Sequence, residues 1–339
     1  MRHSLSERAL VAAAALGFVA GCSGSSTSLA PDQSAPARPS TRQVGPGMRA
    51  LPGPTVAGPI IVPLVPRQPN APRGWPERKR KHQLLFVADG SSGILIYNPK
   101  APNSSPKGSI TNDVNAPAGI AIDKKGALYV ANAGNNTVTV YPKGSSSPNL
   151  TISTGINSPY GIAVDSKGNV FVSNLNTNVV TGYKTGATSP YETINFANFG
   201  QAVGLGIDAK DNLWVACDST NGVFEIAAGT TTVVNSGLTG LNGPIGVSFG
   251  KKDVIYVSNF AAGYVNVYTY GTTIPSVRIT TGIEQFGPTL NGFTASGAFF
   301  QSNQDENVVG YMKGQTAPFS TLTGASSPLG VASSPLVQK

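Results

Sequence analysis

The sequence predicts an all-β fold, a six-bladed β-propeller of four-stranded blades, on three observations. A phrase of the type LYVANAGNNTVTVYP recurs six times at nearly constant spacing. Within each copy the apolar residues alternate at spacing two, and the incomplete pieces at the two ends of the array add up to one blade.

The six copies begin at Leu85, Leu128, Val170, Leu213, Ile255 and Phe299, at intervals of 43, 42, 43, 42 and 44 residues. A period of about 40–45 residues containing four strands marks one propeller blade. The four runs are shown by GIAID from Gly119, ALYVAN from Ala127, TVTVYP from Thr137 and NLTIST from Asn149. Leu128 and Val130, and again Val138 and Val140, recur at strand period, and no helical stripe competes with them. The turns Asp123 to Gly126, Asp165 to Gly168 and Gly250 to Asp253 supply the Asp and Gly that tight turns prefer. The chain enters the array at LLFVAD without a GIA-type strand. It leaves at SPLGVASS, from Ser327 to Ser334, which is a GIA-type strand with no blade after it. Pairing the last strand with the first three closes the ring and removes the open sheet edge. The propeller is therefore expected over residues 83–334, with 335–339 as a tail.

The phrase Pro-x-Gly-[Ile/Val]-Ala-x-Asp, present as PAGIAID at 117–123 and PYGIAVD at 159–165, precedes [Leu/Val/Ile]-[Tyr/Phe]-Val-[Ala/Ser]-Asn. This pairing resembles the NHL repeat family of six-bladed propellers, across residues 84–334. The third and fifth inner-strand openings depart from it, as QAVGLGID and GPTLNGFTAS. The resemblance implies the fold and leaves the activity open, because this fold carries many functions.

Ahead of the array, Arg2 and Arg8 precede an apolar run from Ala9 to Ala20, too short to span a bilayer comfortably, which reads as the core of a signal peptide over residues 1–21. Val19-Ala20-Gly21-Cys22 resembles the lipobox of bacterial lipoproteins, which implies lipidation at Cys22. Ser23 behind it implies an outer-membrane address in a host with two membranes. Cys217 then has no partner, and no structural disulfide is expected. Residues 22–82 are rich in Pro and Ser and read as a disordered tether. PIIVPLVP, from Pro59 to Pro66, reads as part of this tether, with docking on the propeller or a partner groove as the alternative. The expected address is the cell envelope, the protein being exported and anchored in the membrane through Cys22.

The chain has 24 Lys and Arg against 16 Asp and Glu, a net charge of +8. From Gln83 onward twelve Lys and one Arg face nine Asp and four Glu, so the predicted propeller is formally neutral. The excess lies upstream and is densest at Arg73, Arg78, Lys79, Arg80 and Lys81. A basic run beside a tether meets anionic lipid or wall polymers, and nucleic acid is not an expected partner. Only 12% of residues are charged, about half the roughly 25% of ordinary soluble proteins.

Chemistry in such a propeller is expected on the face formed by the loop after each second strand and the loop leading into the next inner strand. The residue ending the second strand repeats as Asp89, Asn132, Asn174, Cys217, Asn259 and Asn303, a near-ring of short polar side chains. With Asp218 these are the ligand-face candidates. Asn and Asp also favour such positions because their side chains bond nearby backbone and tolerate left-handed conformations. Tyr160, Phe199, Gln201, Ile245 and Leu329 stand beside the lead-in positions. Trp214 reads as packing between blades, and Cys217 as a small, partly buried residue with no basic neighbour in sequence to activate it.

The only histidines are His3 and His82, both outside the array, which excludes a histidine zinc site or a histidine general base of the kinds found in NHL-like amidating lyases and streptogramin lyases. A gluconolactonase-like hydrolase would need a divalent cation such as calcium held by Glu, Asn and Asp at the channel, and the entry to the closing strand, Ser326 to Gly330, carries no acid. Asp89, Asp218 and Asp305 are the acidic candidates for it. The leading expectation is a monomeric, surface-tethered binding or scaffold module that uses no cofactor and takes a cell-envelope protein, peptide or glycan. The alternative is a metal-dependent lactonase-like hydrolase.

Overall fold

The structure is a computed structural model and describes residues 83–304 and 307–334. The expected signal peptide, tether and Cys22 lie outside the described residues, as do Asp305, Glu306 and the tail. The described residues contain strands, turns and one short 3-10 turn at Lys251–Asp253. None of their helices is long and apolar enough to cross a membrane.

Twenty-four strands form six separate four-stranded antiparallel sheets. Blade 2 shows the pattern: an inner strand Pro117–Ile122, a second Leu128–Asn132, a third Thr137–Tyr141 and a short outer Leu150–Ile152. The inner strands of blades 3 to 6 are Pro159–Val164, Ala202–Ile207, Pro244–Phe249 and Pro288–Phe293. The inner strand of blade 1 is Pro328–Ser333, at the far end of the chain, and it pairs antiparallel with Leu85–Asp89. The inner strands contact one another in ring order, with blade 1 meeting both blade 6 and blade 2. The first blade is shared between the two ends of the array, as the repeat arithmetic requires. Gln83 Nε2 adds donated bonds to Ser333 Oγ and to the Ser334 carbonyl, each 3.0 Å, at this seam.

The core lies between the sheets. Alternate residues of one strand face opposite neighbours: Leu128 and Val130 pack against Phe86 and Ile96 of blade 1, while Tyr129 and Ala131 pack with Val172 and Tyr183 of blade 3. Each blade therefore buries its two faces only when both neighbours are present.

The inner strands begin two residues earlier than the GIA phrase suggests, at its proline, through a bulge. The glycine of Pro-x-Gly sits where adjacent inner strands come closest. A Cβ at Gly246 would lie 2.7 Å from the Thr289 carbonyl, and one at Gly119 or Gly161 would meet the backbone of the next blade. The repeat glycine is thus a close-approach position, and no left-handed backbone is involved.

A second device is a tyrosine ending the third strand. Tyr97, Tyr183, Tyr268 and Tyr311 are fully buried, and each donates its hydroxyl to a backbone carbonyl of the preceding blade's exit loop: Thr323 at 3.0 Å, Thr154 at 2.8 Å, Thr239 at 2.7 Å and Thr281 at 2.7 Å. Tyr141 does the same to Asn112. These bonds staple blade to blade.

Candidate functional site

Strand direction alternates within each blade, so the ring has two unlike faces. The turns from second to third strand and the loops leading into inner strands form one, here the lead-in face. The turns from inner to second and from third to outer strand form the other, the turn face.

The six residues ending the second strands stand at the lead-in end, and all are buried: Asp89, Asn132, Asn174, Cys217 and Asn259 are fully enclosed and Asn303 is nearly so. Their polar atoms turn inward. Asn132, Asn174 and Asn259 accept at Oδ1 from the backbone N–H of Asn115, Asn157 and Asn242, at 3.0, 2.8 and 2.8 Å, two residues ahead of each blade's own inner strand. Their Nδ2 groups donate back to the sheet, as from Asn132 to Thr139 Oγ1 at 2.9 Å and from Asn259 to the Val257 carbonyl at 3.0 Å. Asparagine suits the position because one side chain both accepts from the loop and donates to the strand. Asp89 accepts at Oδ1 from Ser91 and Ser92 and at Oδ2 from the backbone N–H groups of Ser326 and Ser327. Asn303 donates to the Gly282 carbonyl at 2.9 Å, and its Oδ1 is buried without a hydrogen-bond partner.

Blade 4 breaks the pattern. Cys217 cannot make these bonds, and the lead-in loop is held by other groups: Ser219 Oγ accepts from Gln201 N–H at 2.9 Å, and Thr220 donates to the Phe199 carbonyl at 2.7 Å. Asn178 of blade 3 takes Ala202 N–H at 3.0 Å. Next to Cys217, Asp218 has a buried Oδ1 with no hydrogen-bond partner. Burial pushes its carboxyl above the usual carboxylate range, only partly offset by backbone N–H donors. Burial and the nearby Asp218 together raise both the Tyr160 hydroxyl of blade 3 and the Cys217 thiol. The thiol is buried, unpaired and packed in one core cluster with Val215 and Phe224. Tyr160, Cys217 and Asp218 thus form one electrostatically coupled cluster at the lead-in end of blades 3 and 4.

Phe286 is a second departure on the same face. It is 45% exposed, packs edge-on at 5.7 Å against Phe260, and holds a left-handed φ of 58°. That conformation is costly for a bulky side chain.

The inner strands line a small central cavity of about 30 Å³, room for one or two water molecules, with the aliphatic side chains of Ile120, Ile162, Leu205, Val247 and Val331. Blade 6 replaces the Gly-aliphatic pair by Leu290-Asn291. Asn291 Nδ2 donates to Ser258 Oγ at 2.6 Å, and Ser258 donates to Gln301 Oε1 at 2.7 Å. Gln301 Nε2 donates to the Thr289 and Ser302 carbonyls at 3.1 and 2.8 Å. Asn291 Oδ1 is buried without a partner. Sequence reasoning did not find this network. Its signal was present, since the position of Asn291 is aliphatic in the other five blades.

Of the acidic cation candidates, Asp89 is already occupied by backbone donors, Asp218 stands with Tyr160 and Cys217, and Asp305 lies outside the described residues. Among the described residues no group of three His, Cys, Asp or Glu side chains is placed to hold a metal ion.

Fold and site together define a six-bladed β-propeller. The NHL repeat model matches residues 115–141, the first three strands of blade 2 with their lead-in. A search of the curated proteins found no match by sequence. Solved propellers superpose on most of the chain. The nidogen/laminin complex contains one with a TM-score of 0.60 at 14% identity, covering 74% of this chain and 98% of that one. A streptogramin B lyase gives 0.53 at 12% identity, covering 74% and 91%. A catalytically inactive virginiamycin B lyase from Staphylococcus aureus, with quinupristin, gives 0.51 at 12% identity, covering 75% and 89%. At these identities the likeness is one of fold.

Proposed function

We propose that the protein is a binding module whose lead-in face takes a protein, peptide or glycan at the cluster of blades 3 and 4. The observation that carries this is Asp218 Oδ1, a buried acceptor without a protein partner in the blade where Cys217 takes the place of the asparagine. A buried polar atom costs about 1–3 kcal/mol when left unpaired. A ligand N–H or O–H donor recovers this energy once local movement uncovers the atom, and peptide amides and sugar hydroxyls both qualify. Elsewhere on the same face, in the loop between blades 5 and 6, the exposed Phe286 offers an aromatic edge of the kind that anchors interfaces. The presence of a propeller of this fold in a complex of nidogen with laminin supports protein binding as a use of the architecture. The lyases of the same fold keep enzymatic use of it open, and the lactonase-like alternative needs converging carboxylates at the channel.

Screening the full chain against immobilised glycans and peptides tests the reading. Asp218→Asn keeps shape and removes the negative acceptor. It is expected to weaken a ligand found by the wild type about tenfold or more, in line with the 1.5–3 kcal/mol of a hydrogen bond to a charged group. A ligand whose affinity is unchanged in both Asp218→Asn and Phe286→Ala, or metal-dependent turnover of a lactone, would overturn it.

A further inference from the structure

The near-neutral propeller is polarised from face to face. All eleven described lysines are exposed and lie in turns of one class or the other on the turn face. The turns from inner to second strand carry Lys124, Lys125, Lys167, Lys210, Lys251 and Lys252. Those from third to outer strand carry Lys100, Lys107, Lys143, Lys184 and Lys313. The lead-in loops carry Asp113, Asp218 and Glu284 besides the enclosed Asp89, and no lysine among the described residues, while the turn face sets Asp123, Asp165, Asp208, Asp211, Asp253 and Glu192 against its lysines. The one described arginine, Arg278, lies mid-strand in blade 5, 4.0 Å over the Tyr264 ring. Aspartates on the turn face are tucked into the turns: Asp165 and Asp208 accept from the backbone N–H of Lys167 and Lys210, both at 2.9 Å. Asp211 and Asp253 accept from Ser166 and Ala209 of the preceding blades at 2.8 and 3.2 Å. The lysines are carried on exposed side chains, two of them with the ammonium over a tyrosine ring, Lys184 at 3.6 Å from Tyr191 and Lys210 at 5.1 Å from Tyr270.

Three features say what such a face meets. The lysines are spread over all six blades, which matches a flat anionic surface better than a strand lying in a groove. Exposed apolar side chains stand among them in the same turns, with Ile274 at 71%, Met312 at 51% and Tyr191 at 41% exposure. The chain also joins the propeller on this face, at Gln83 beside Ser333 and Ser334, and the sequence just ahead of Gln83 is Arg78-Lys79-Arg80-Lys81. Basic clusters with interfacial apolar tips are the signature of contact with anionic lipid headgroups. We propose that the turn face seats the propeller on an anionic phospholipid bilayer, which leaves the lead-in face turned away from the membrane.

The test sediments the full chain with vesicles of phosphatidylcholine alone and with vesicles that also contain phosphatidylglycerol. Binding to the anionic vesicles is expected to be about tenfold stronger or more, and to fall as salt shortens the screening length from ~10 Å at 0.1 M to ~3 Å at 1 M. The variant Lys124→Ser, Lys125→Ser, Lys167→Ser, Lys251→Ser is expected to lose most of that preference. A control, Asn135→Asp, Asn176→Asp, Thr177→Asp, Asn242→Asp, lowers net charge equally on the lead-in side and is expected to keep it. Thermal melts of both variants establish that they remain folded. Equal binding to both vesicle types would overturn the proposal, as would retained preference in the lysine variant or equal loss in both variants. Displacement of the chain from vesicles by single-stranded RNA at equal phosphate concentration would assign the face to nucleic acid instead.

Discussion

At the residue scale, the tyrosines ending the third strands set the clearest expectation. Burial pushes the hydroxyls of Tyr141 and Tyr268 up to about 12 and raises those of Tyr97, Tyr183 and Tyr311 as well. A phenol whose folded pKa exceeds its unfolded value of about 10 favours the folded state fully below pH 10 and ceases to do so as pH rises towards the folded pKa. Stability is therefore expected to hold to about pH 10 and to fall between there and about pH 12. Thermal melts across that range, read beside tyrosinate absorbance, check it; ordinary phenol titration in the folded protein would show the staples to be absent. These tyrosines were visible in the sequence only as apolar-strand residues, because nothing in a strand pattern says where a hydroxyl points. The asparagines ending the second strands were visible as a repeat. Their inward direction follows from a bond to a loop 17 residues earlier in the chain, which spacing does not encode.

At the element scale, the repeat phrase is a packing instruction. Proline opens the inner strand, and two residues on glycine lets the next blade's inner strand approach. Gly246→Ala places a methyl 2.7 Å from the Thr289 carbonyl and 3.0 Å from Ser258 Oγ, so one of two blades has to shift. The expected cost is about 2 kcal/mol or more, a fall in Tm of roughly 4–8 °C for a domain of this size. A calorimetric scan showing an unchanged Tm would mean that the inner strands are not in register contact. Strand existence, order and blade boundaries were legible because they repeat. The polar network of Asn291, Ser258 and Gln301 was not, because it is a single departure whose partners come from two blades and meet only in the closed ring.

At the scale of the whole molecule, no blade is complete without its neighbours, so the closing strand governs the ring. A chain ending before Pro328 exposes the inner edge of Leu85–Asp89 and removes Val331 from its cluster. It is expected to lose the cooperative melt and to aggregate, as open edges do. A truncated chain that melted like the full one would show that closure contributes nothing. The lead-in cluster and the lysine face also belong to this scale: each gathers residues from separate blades, and charge counting along the chain averages the two faces to zero.

The seam has a mechanical consequence. Leu85 and Ser333 are partners at one end of the antiparallel pair that joins the two ends of the array. Tension applied between those ends loads their hydrogen bonds one after another, starting at Ser333 and Leu85, instead of shearing all of them together. The ring therefore has a built-in direction of weakness. Pulled by its two ends it opens first at the seam of blade 1, and blades 6 and 2 then lose the neighbour that buries their faces, whereas a load across any other blade has to be borne by a whole sheet.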